Sequence, residues 1–171
     1  MKSPVISIIV ATDEDGGIGK NNRIPWHLRK DLVRLANMTR GKVVVLGDIS
    51  YNSMAGYYDK SGRPMTAKEY IVLSFDKNFS SKRNNTFTAN SIEEALEKIN
   101  KSGEDEVFII GGASIYKQMI KYANRIYLTQ VKKIFDCDTF FPDYSNFKKV
   151  VLSEEDSDEG LDFTYKILER D

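Results

Sequence analysis

Val107-Phe108-Ile109-Ile110-Gly111-Gly112-Ala113-Ser114 packs a strand, a two-glycine turn and a helix start into one short stretch. The apolar residues run without alternation, the pattern of a strand covered on both faces. Paired glycines let a backbone or a ligand phosphate approach closely, and a helix opening behind them offers free N–H groups to an anion. A tight strand-to-helix turn with no ligand has the same appearance, and the G-x-G-x-x-G fingerprint is absent.

Similar β-rich runs lie at Val5–Ala11, Lys42–Leu46, Glu69–Ser74, Glu106–Ile110 and Arg125–Lys132. Helical patterns separate several of them. Ser91-Ile92-Glu93-Glu94 is a capping box that opens a helix to about Ser102. A second helix is predicted over Ser114–Lys121, and a third from behind Pro25-Trp26-His27 to about Met38. Alternation of strands and helices predicts crossover connections and a parallel sheet. Lys148–Glu154 and Asp162–Glu169 have no helix between them. They are predicted to form an antiparallel edge pair joined by a solvated acidic loop, Glu155–Gly160. The fold class is therefore α/β: a mixed, mostly parallel central sheet with an antiparallel C-terminal edge and flanking helices, over residues 1–171 as a single domain.

Bulk composition narrows the function. The 171 residues are 41% hydrophobic and 29% charged, ordinary for a globular protein. A chain of this length can bury about 70% of its unfolded surface, enough for a core with a pocket. Lys plus Arg and Asp plus Glu both number 25, so the basic excess of a nucleic-acid binder is missing. A small-molecule ligand fits better. Cys137 is the sole cysteine and His27 the sole histidine, too few for an intrachain disulfide or a conventional zinc site. The apolar run Val5–Ala11 is too short and too soon interrupted by Asp13-Glu14-Asp15 to suit an export signal. No stretch has the length of a membrane span, so a cytoplasmic location is expected.

Asp31 is the most informative residue. It lies on the helical stripe of Leu28, Leu32 and Leu35, three after the first and four before the last. A carboxylate facing apolar surroundings is costly unless something binds it. It is either a buried acid that holds a cationic or donor-rich heterocycle, or an aspartate at the stripe's margin paired with Arg34 or Lys30. The loop Asp13–Arg23, with Gly16, Gly17 and Gly19, is either a lid that excludes water from a hydride transfer or a flexible connection closed by Trp26. Asp13 and Asp15 lack the other ligand positions of an EF-hand calcium loop. His27 is a surface histidine in pattern, and neither a G-x-S-x-G motif nor a P-loop is present.

Taken in order, these pieces resemble dihydrofolate reductase over nearly the whole chain. The resemblance is carried by Ile18-Gly19-Lys20-Asn21-Asn22-Arg23-Ile24-Pro25-Trp26, then Asp31, Leu46-Gly47, Ile71-Val72-Leu73-Ser74 and Ile109-Ile110-Gly111-Gly112. Tyr127-Leu128-Thr129, Asp138-Thr139-Phe140-Phe141-Pro142 and Ile167-Leu168-Glu169-Arg170 complete it. It implies reduction of 7,8-dihydrofolate at C6 by NADPH, giving tetrahydrofolate for one-carbon metabolism. Asp31 would bind the ring's 2-amino group and N3, with Thr129 in support and Trp26 walling the site. Ile9, Val10, Leu32, Leu35, Met54 and Ile110 would line the substrate pocket, with Lys68 towards the glutamate tail. Ala11, Ile18 and Gly19 would meet the nicotinamide. Gly47, Ser50, Leu73, Ser74 and Gly111, Gly112, Ala113, Ser114, Ile115 and Tyr116 would hold the rest of the cofactor. The resemblance also implies a cis peptide between Gly111 and Gly112, antifolates as inhibitors, a monomer, and no metal.

Three departures stand out. Asp48 stands where the family usually has an arginine after the Met-Gly pair, here Leu46-Gly47, and Phe75 replaces a frequent basic residue. Both positions commonly serve the 2′-phosphate, and an acid near a ribose favours a free 2′-hydroxyl, so NADH enters as an alternative donor. Lys68 stands where the family grips glutamate with an arginine fork, beside an apparent insertion at Gly56–Gly62. Two rivals remain: a reductase of the same fold acting on a ribosylaminopyrimidine in riboflavin synthesis, and a weakly catalytic nucleotide-binding protein.

Overall fold

The computed structural model describes residues 2–171. The strands are β1 (Val5–Thr12), β2 (Gly17–Gly19), β3 (Val43–Gly47), β4 (Glu69–Leu73) and β5 (Thr86–Ala89). They continue with β6 (Glu106–Gly111), β7 (Arg125–Val131), β8 (Thr139–Phe140), β9 (Lys149–Asp158) and β10 (Leu161–Glu169). The helices are α1 (Arg29–Thr39), α2 (Asp48–Ser61), α3 (Ile92–Lys101) and α4 (Ala113–Met119), the last followed by a short 3₁₀ turn. One eight-stranded sheet runs β5-β4-β3-β6-β1-β7-β10-β9, and β2 pairs with β8 beside it. Every neighbouring pair from β5 to β7 is parallel, and β10 is antiparallel to both its neighbours. The α/β sheet with an antiparallel C-terminal edge is thus as the sequence predicts.

Strand alternation sorts the two faces. Ile8, Val10, Ile126 and Leu128 pack in one cluster with Ala95 and Ile99 of α3 and Ile115 and Met119 of α4. The register pairs Ala11 with Thr129 and Ile9 with Tyr127, which turns these residues to the opposite face. On that face Val44, Leu46 and Val72 meet Tyr51 and Met54 of α2. Farther along, Leu28 packs with Val131 and Phe163. The sheet is therefore covered by α3 and α4 on one side, and by α2 and α1 on the other.

Three expectations are corrected. The segment Glu155–Gly160 is not a loop: β9 runs through Asp158 and the reversal is confined to Glu159-Gly160, at φ +52° and +78°. Two successive positive φ angles make the tight hairpin turn whose twist matches the flanking strands. The apparent insertion at Gly56–Gly62 forms the C-terminal end of α2, which continues to Ser61 and stops at the left-handed Gly62. That helix and β5 have no counterpart in the sequence-based scheme, because α2 mixes polar residues with Ile49, Tyr51, Met54 and Tyr57 without a sharp apolar face. The third predicted helix is α1 and starts behind His27 as expected, but its stripe is not a core stripe: no α1 residue is buried, and Leu32 is 49% exposed. Only Leu28, just ahead of the helix, is buried.

Candidate active site

Asp31 stands in the first turn of α1, where a carboxylate is favoured by the helix dipole. Its Oδ1 accepts a hydrogen bond of 2.6 Å from the Thr129 hydroxyl on β7. Arg34 Nη1 lies 3.9 Å from the same oxygen, and Lys30 turns instead to Asp156 at 2.9 Å. Burial raises the Asp31 pKa above the ordinary aspartate range, against the lowering by the Thr129 hydrogen bond and the Arg34 charge. Among the described residues Oδ2 has no hydrogen-bond partner, so one acceptor of a half-buried acid is free to bind a donor-bearing ring.

The helix that carries this acid is held at its N-terminus. Leu28, its N-cap residue, has no capping side chain. The β9–β10 hairpin supplies the cap: Asp158 accepts 2.8 Å from the Lys30 amide, and Asp156 binds the Lys30 ammonium. Glu159 meets the His27 ring at 3.1 Å. The acidic segment is therefore a clamp on the acid-bearing helix. Trp26 packs beside Leu28 and lies 5.2 Å from the Phe135 ring, closing the apolar floor under the helix start.

A second set of residues meets at the C-terminal ends of β3 and β6. Gly47 caps α2 and Gly112 caps α4, neither with a side-chain acceptor of its own; at the α2 start the Asp48 carboxylate accepts 2.7 Å from the Ile49 amide, whereas the α4 start has no side-chain acceptor among the described residues. The glycines are needed for closeness. A Cβ on Gly47 would stand 3.1 Å from Ile115, and one on Gly112 would stand 3.1 Å from the Ser50 hydroxyl. Gly111 has φ +130° and would press a Cβ to 3.3 Å from the Tyr116 hydroxyl. The Gly111–Gly112 peptide is cis. Tyr116 is fully buried, its pKa pushed well up by burial and then by Asp31, so its hydroxyl stays protonated and donates 2.7 Å to the Ile9 carbonyl. Gly47, Ser50, Gly111, Gly112, Ile115 and Tyr116 thus share one locus, where the bare glycine backbone and the open α4 start leave room for a dinucleotide's phosphates, while Asp48 holds the α2 start.

The segment Asp13–Arg23 is organised around Asp13, to which the sequence reading gave no structural role. It is fully buried. Its Oδ1 accepts from the amides of Asp15 and Gly17 at 2.9 and 2.8 Å. Its Oδ2 accepts from the Phe135 amide at 3.0 Å and faces the Cys137 thiol at 3.7 Å. The Asp138 amide donates to the Gly19 carbonyl, and Asp138 in turn accepts from the Asn21 amide. The signal was available: an Asp ahead of Asp15-Gly16-Gly17 is a common Asx-turn start.

Other predicted residues fall as follows. Ile9, Ala11, Met54, Ile110 and Thr129 lie on the α1/α2 face of the sheet, whereas Val10 points into the α3/α4 core. Leu35 is half-buried on α1, and Ile18 packs against the α3/α4 cluster. Leu73 is buried, and Ser74 donates 2.7 Å to Asp48 from the end of β4. Ala113 and Ser114 open α4. Lys68 precedes β4 and is paired with Glu104 at 2.5 Å, an exposed ion pair. Among the described residues no His, Cys, Asp and Glu group is placed to hold a metal, and no helix is long and apolar enough to cross a membrane.

A mixed sheet with glycine-capped helix starts at its strand ends and a half-buried acid on its flanking helix has the parts a reductase needs to bind a dinucleotide beside a nitrogen heterocycle. The profile of the dihydrofolate reductase family matches residues 5–170. The chain belongs to the dihydrofolate reductase family. Dihydrofolate reductase of Staphylococcus haemolyticus is 36% identical over 169 residues, covering 96% of this chain and 95% of the relative. That of Buchnera aphidicola subsp. Baizongia pistaciae is 34% identical over 171 residues, covering 96% and 98%. Among solved structures, dihydrofolate reductase from Enterococcus faecalis complexed with NADP(H) and RAB-propyl superposes with a TM-score of 0.80 at 27% identity, covering 99% of this chain and 98% of the other.

Proposed function

We propose that this chain reduces 7,8-dihydrofolate to tetrahydrofolate with NADPH, using Asp31 to hold the pterin ring. The observation that carries the assignment of the acid is its Thr129 partner: one oxygen is fixed at 2.6 Å, leaving the other for the ring's 2-amino group and N3. Burial raises the strength of each such contact, because the surrounding dielectric is low. Leu32, Leu35, Met54, Ile9 and Ile110 offer apolar walls to the ring and its side chain. NADPH, when bound, supplies the hydride from nicotinamide C4 to substrate C6. The glycine-lined locus at Gly47 and Gly111–Gly112 would hold its phosphates, with Ser50, Ala113 and Ser114 close by. Ala11, Ile18 and Gly19 would flank its nicotinamide end. The Asp13-anchored lid keeps bulk water from the reacting carbons.

Asp48 supports a second donor. Its carboxylate is fixed by the Ser74 hydroxyl at the end of β4, beside the exposed Phe75, where an acid suits a ribose 2′-hydroxyl better than a 2′-phosphate. NADH is accordingly a competing donor. A cytoplasmic location, a monomeric state and inhibition by antifolates belong to the same proposal.

Initial rates with dihydrofolate, followed by loss of reduced-nicotinamide absorbance with NADPH and NADH in parallel, test both points. Turnover lost in Asp31→Asn at neutral pH is expected. Absence of turnover in the folded wild-type protein would overturn the function, and a strong NADPH preference would remove the role given to Asp48.

A further inference from the structure

Arg34 has no place in the scheme above, yet it is the cation nearest to Asp31. Its guanidinium carbon sits 3.6 Å from the centre of the Tyr165 ring on β10. Tyr165 faces the same way as Thr129, its register partner on β7, so the acid and the stacked cation share one face of the sheet. Arg34 Nη1 is buried with no hydrogen-bond partner. Within 4 Å its only carboxylate among the described residues is Asp31.

A buried donor without a partner costs stability, so its retention asks for another gain. The distance supplies one. At 3.9 Å the pair is too long for a hydrogen bond, but well inside the range at which a guanidinium stabilises a carboxylate's charge. A bidentate fork would occupy the oxygens of Asp31. The Tyr165 face instead holds the cation beside the acid rather than on it. The remaining groups around Asp31 are neutral: Thr129 from β7, the protonated Tyr116 hydroxyl from α4, and the Tyr165 hydroxyl, whose own pKa is raised by burial. Lys30, one residue before Asp31, is engaged by Asp156. Arg34 is therefore the one charge that offsets the burial of Asp31.

We infer that Arg34 is a positioning residue for the reaction: propped on Tyr165, it keeps the Asp31 carboxylate charged without occupying the oxygens that receive the substrate. The inference rests on Asp31 as the ring-binding acid.

The test is a carbon-13 titration of the Asp31 carboxyl in the free protein, assigned by its disappearance in Asp31→Asn, with the pH profile of kcat/KM measured alongside. Arg34→Met, which keeps the stem over Tyr165, is expected to move the Asp31 midpoint up by about one pH unit, and the acid limb of kcat/KM with it. Tyr165→Leu leaves the charge but removes the prop, and shifts both in the same direction by less. Arg34→Gln serves the same purpose if Arg34→Met does not fold. An Asp31 midpoint that stays in place in the Arg34 variants overturns the inference, even in an enzyme that reduces dihydrofolate normally. Full turnover by Asp31→Asn overturns the substrate role of Asp31 instead, and with it the link from Arg34 to the reaction, whatever the titration shows.

Discussion

Gly17 offers a sharp test of how the lid is seated. It lies in β2, outside the left-handed region, so an alanine meets no backbone penalty and only space is at issue. A Cβ there would stand 2.5 Å from Cys137 Sγ, 2.6 Å from Cys137 Cβ and 3.1 Å from Asp13 Oδ1. Relaxed carbon contacts lie near 3.5–4.0 Å, so two atoms of Cys137 must retreat by about 1 Å. Overpacking of that size costs about 1–3 kcal/mol. In a chain of this length the melting point falls by roughly 2–4 °C for each kcal/mol. The same displacement pulls on the bond from the Gly17 amide to Asp13, so the lid loosens together with the fold. Thermal and denaturant unfolding of Gly17→Ala, Cys137→Gly and the double variant form a cycle. Cys137→Gly removes both clashing atoms, and should return more than half of the loss caused by Gly17→Ala. Cys137→Ala keeps the Cβ at 2.6 Å and should return less. Equal melting points for wild type and Gly17→Ala, or strictly additive losses in the double variant, would refute the steric argument.

Three other outcomes are expected. Because burial raises the Asp31 pKa, the folded protein holds that proton more tightly than the unfolded chain, and the acid costs stability once pH exceeds the ordinary aspartate range. Asp31→Asn should therefore be more resistant to urea than wild type at neutral pH, and the gap should close as the pH is lowered into that range. Asp158→Ala removes the cap on α1 and should cost about 1 kcal/mol in chemical denaturation while raising the dihydrofolate KM, and Asp158→Asn, which keeps an acceptor, should restore both. Lys68 is already spent on Glu104 at the surface, so Lys68→Met should change the dihydrofolate KM by less than about fivefold, the limit of what an exposed charge pair is worth. A larger rise would show that Lys68 grips the substrate's glutamate.

Much of the scaffold was legible in local chemistry. The unbroken apolar runs of β3 and β6 announced strands covered on both faces, and both lie at the centre of the sheet. The capping box at Ser91 was read correctly, and the Ser91 hydroxyl does accept from the Glu94 amide at 3.0 Å. The α1 stripe misled, because helical spacing reports an apolar face without saying what covers it: Leu28 enters the core while Leu32 does not. The acidic run misled for a related reason. Charge density suggested a solvated loop, but strand pairing is set by the partner strand, and β10 holds those residues extended as far as Asp158.

What the sequence determined by itself was the order of the central strands and of three of the helices, the family, and the identity of Asp31 as the acid to watch. Each depends on residue type and short-range spacing, which a chain carries before it folds. What only the tertiary structure decided was the surroundings of that acid. Thr129 lies 98 residues away, and Tyr165 and Asp158 are more distant still, yet strand register and one hairpin turn bring all three to the same helix. A charge near a carboxylate acts through distance and burial, and neither exists until the sheet has set the face on which each residue stands.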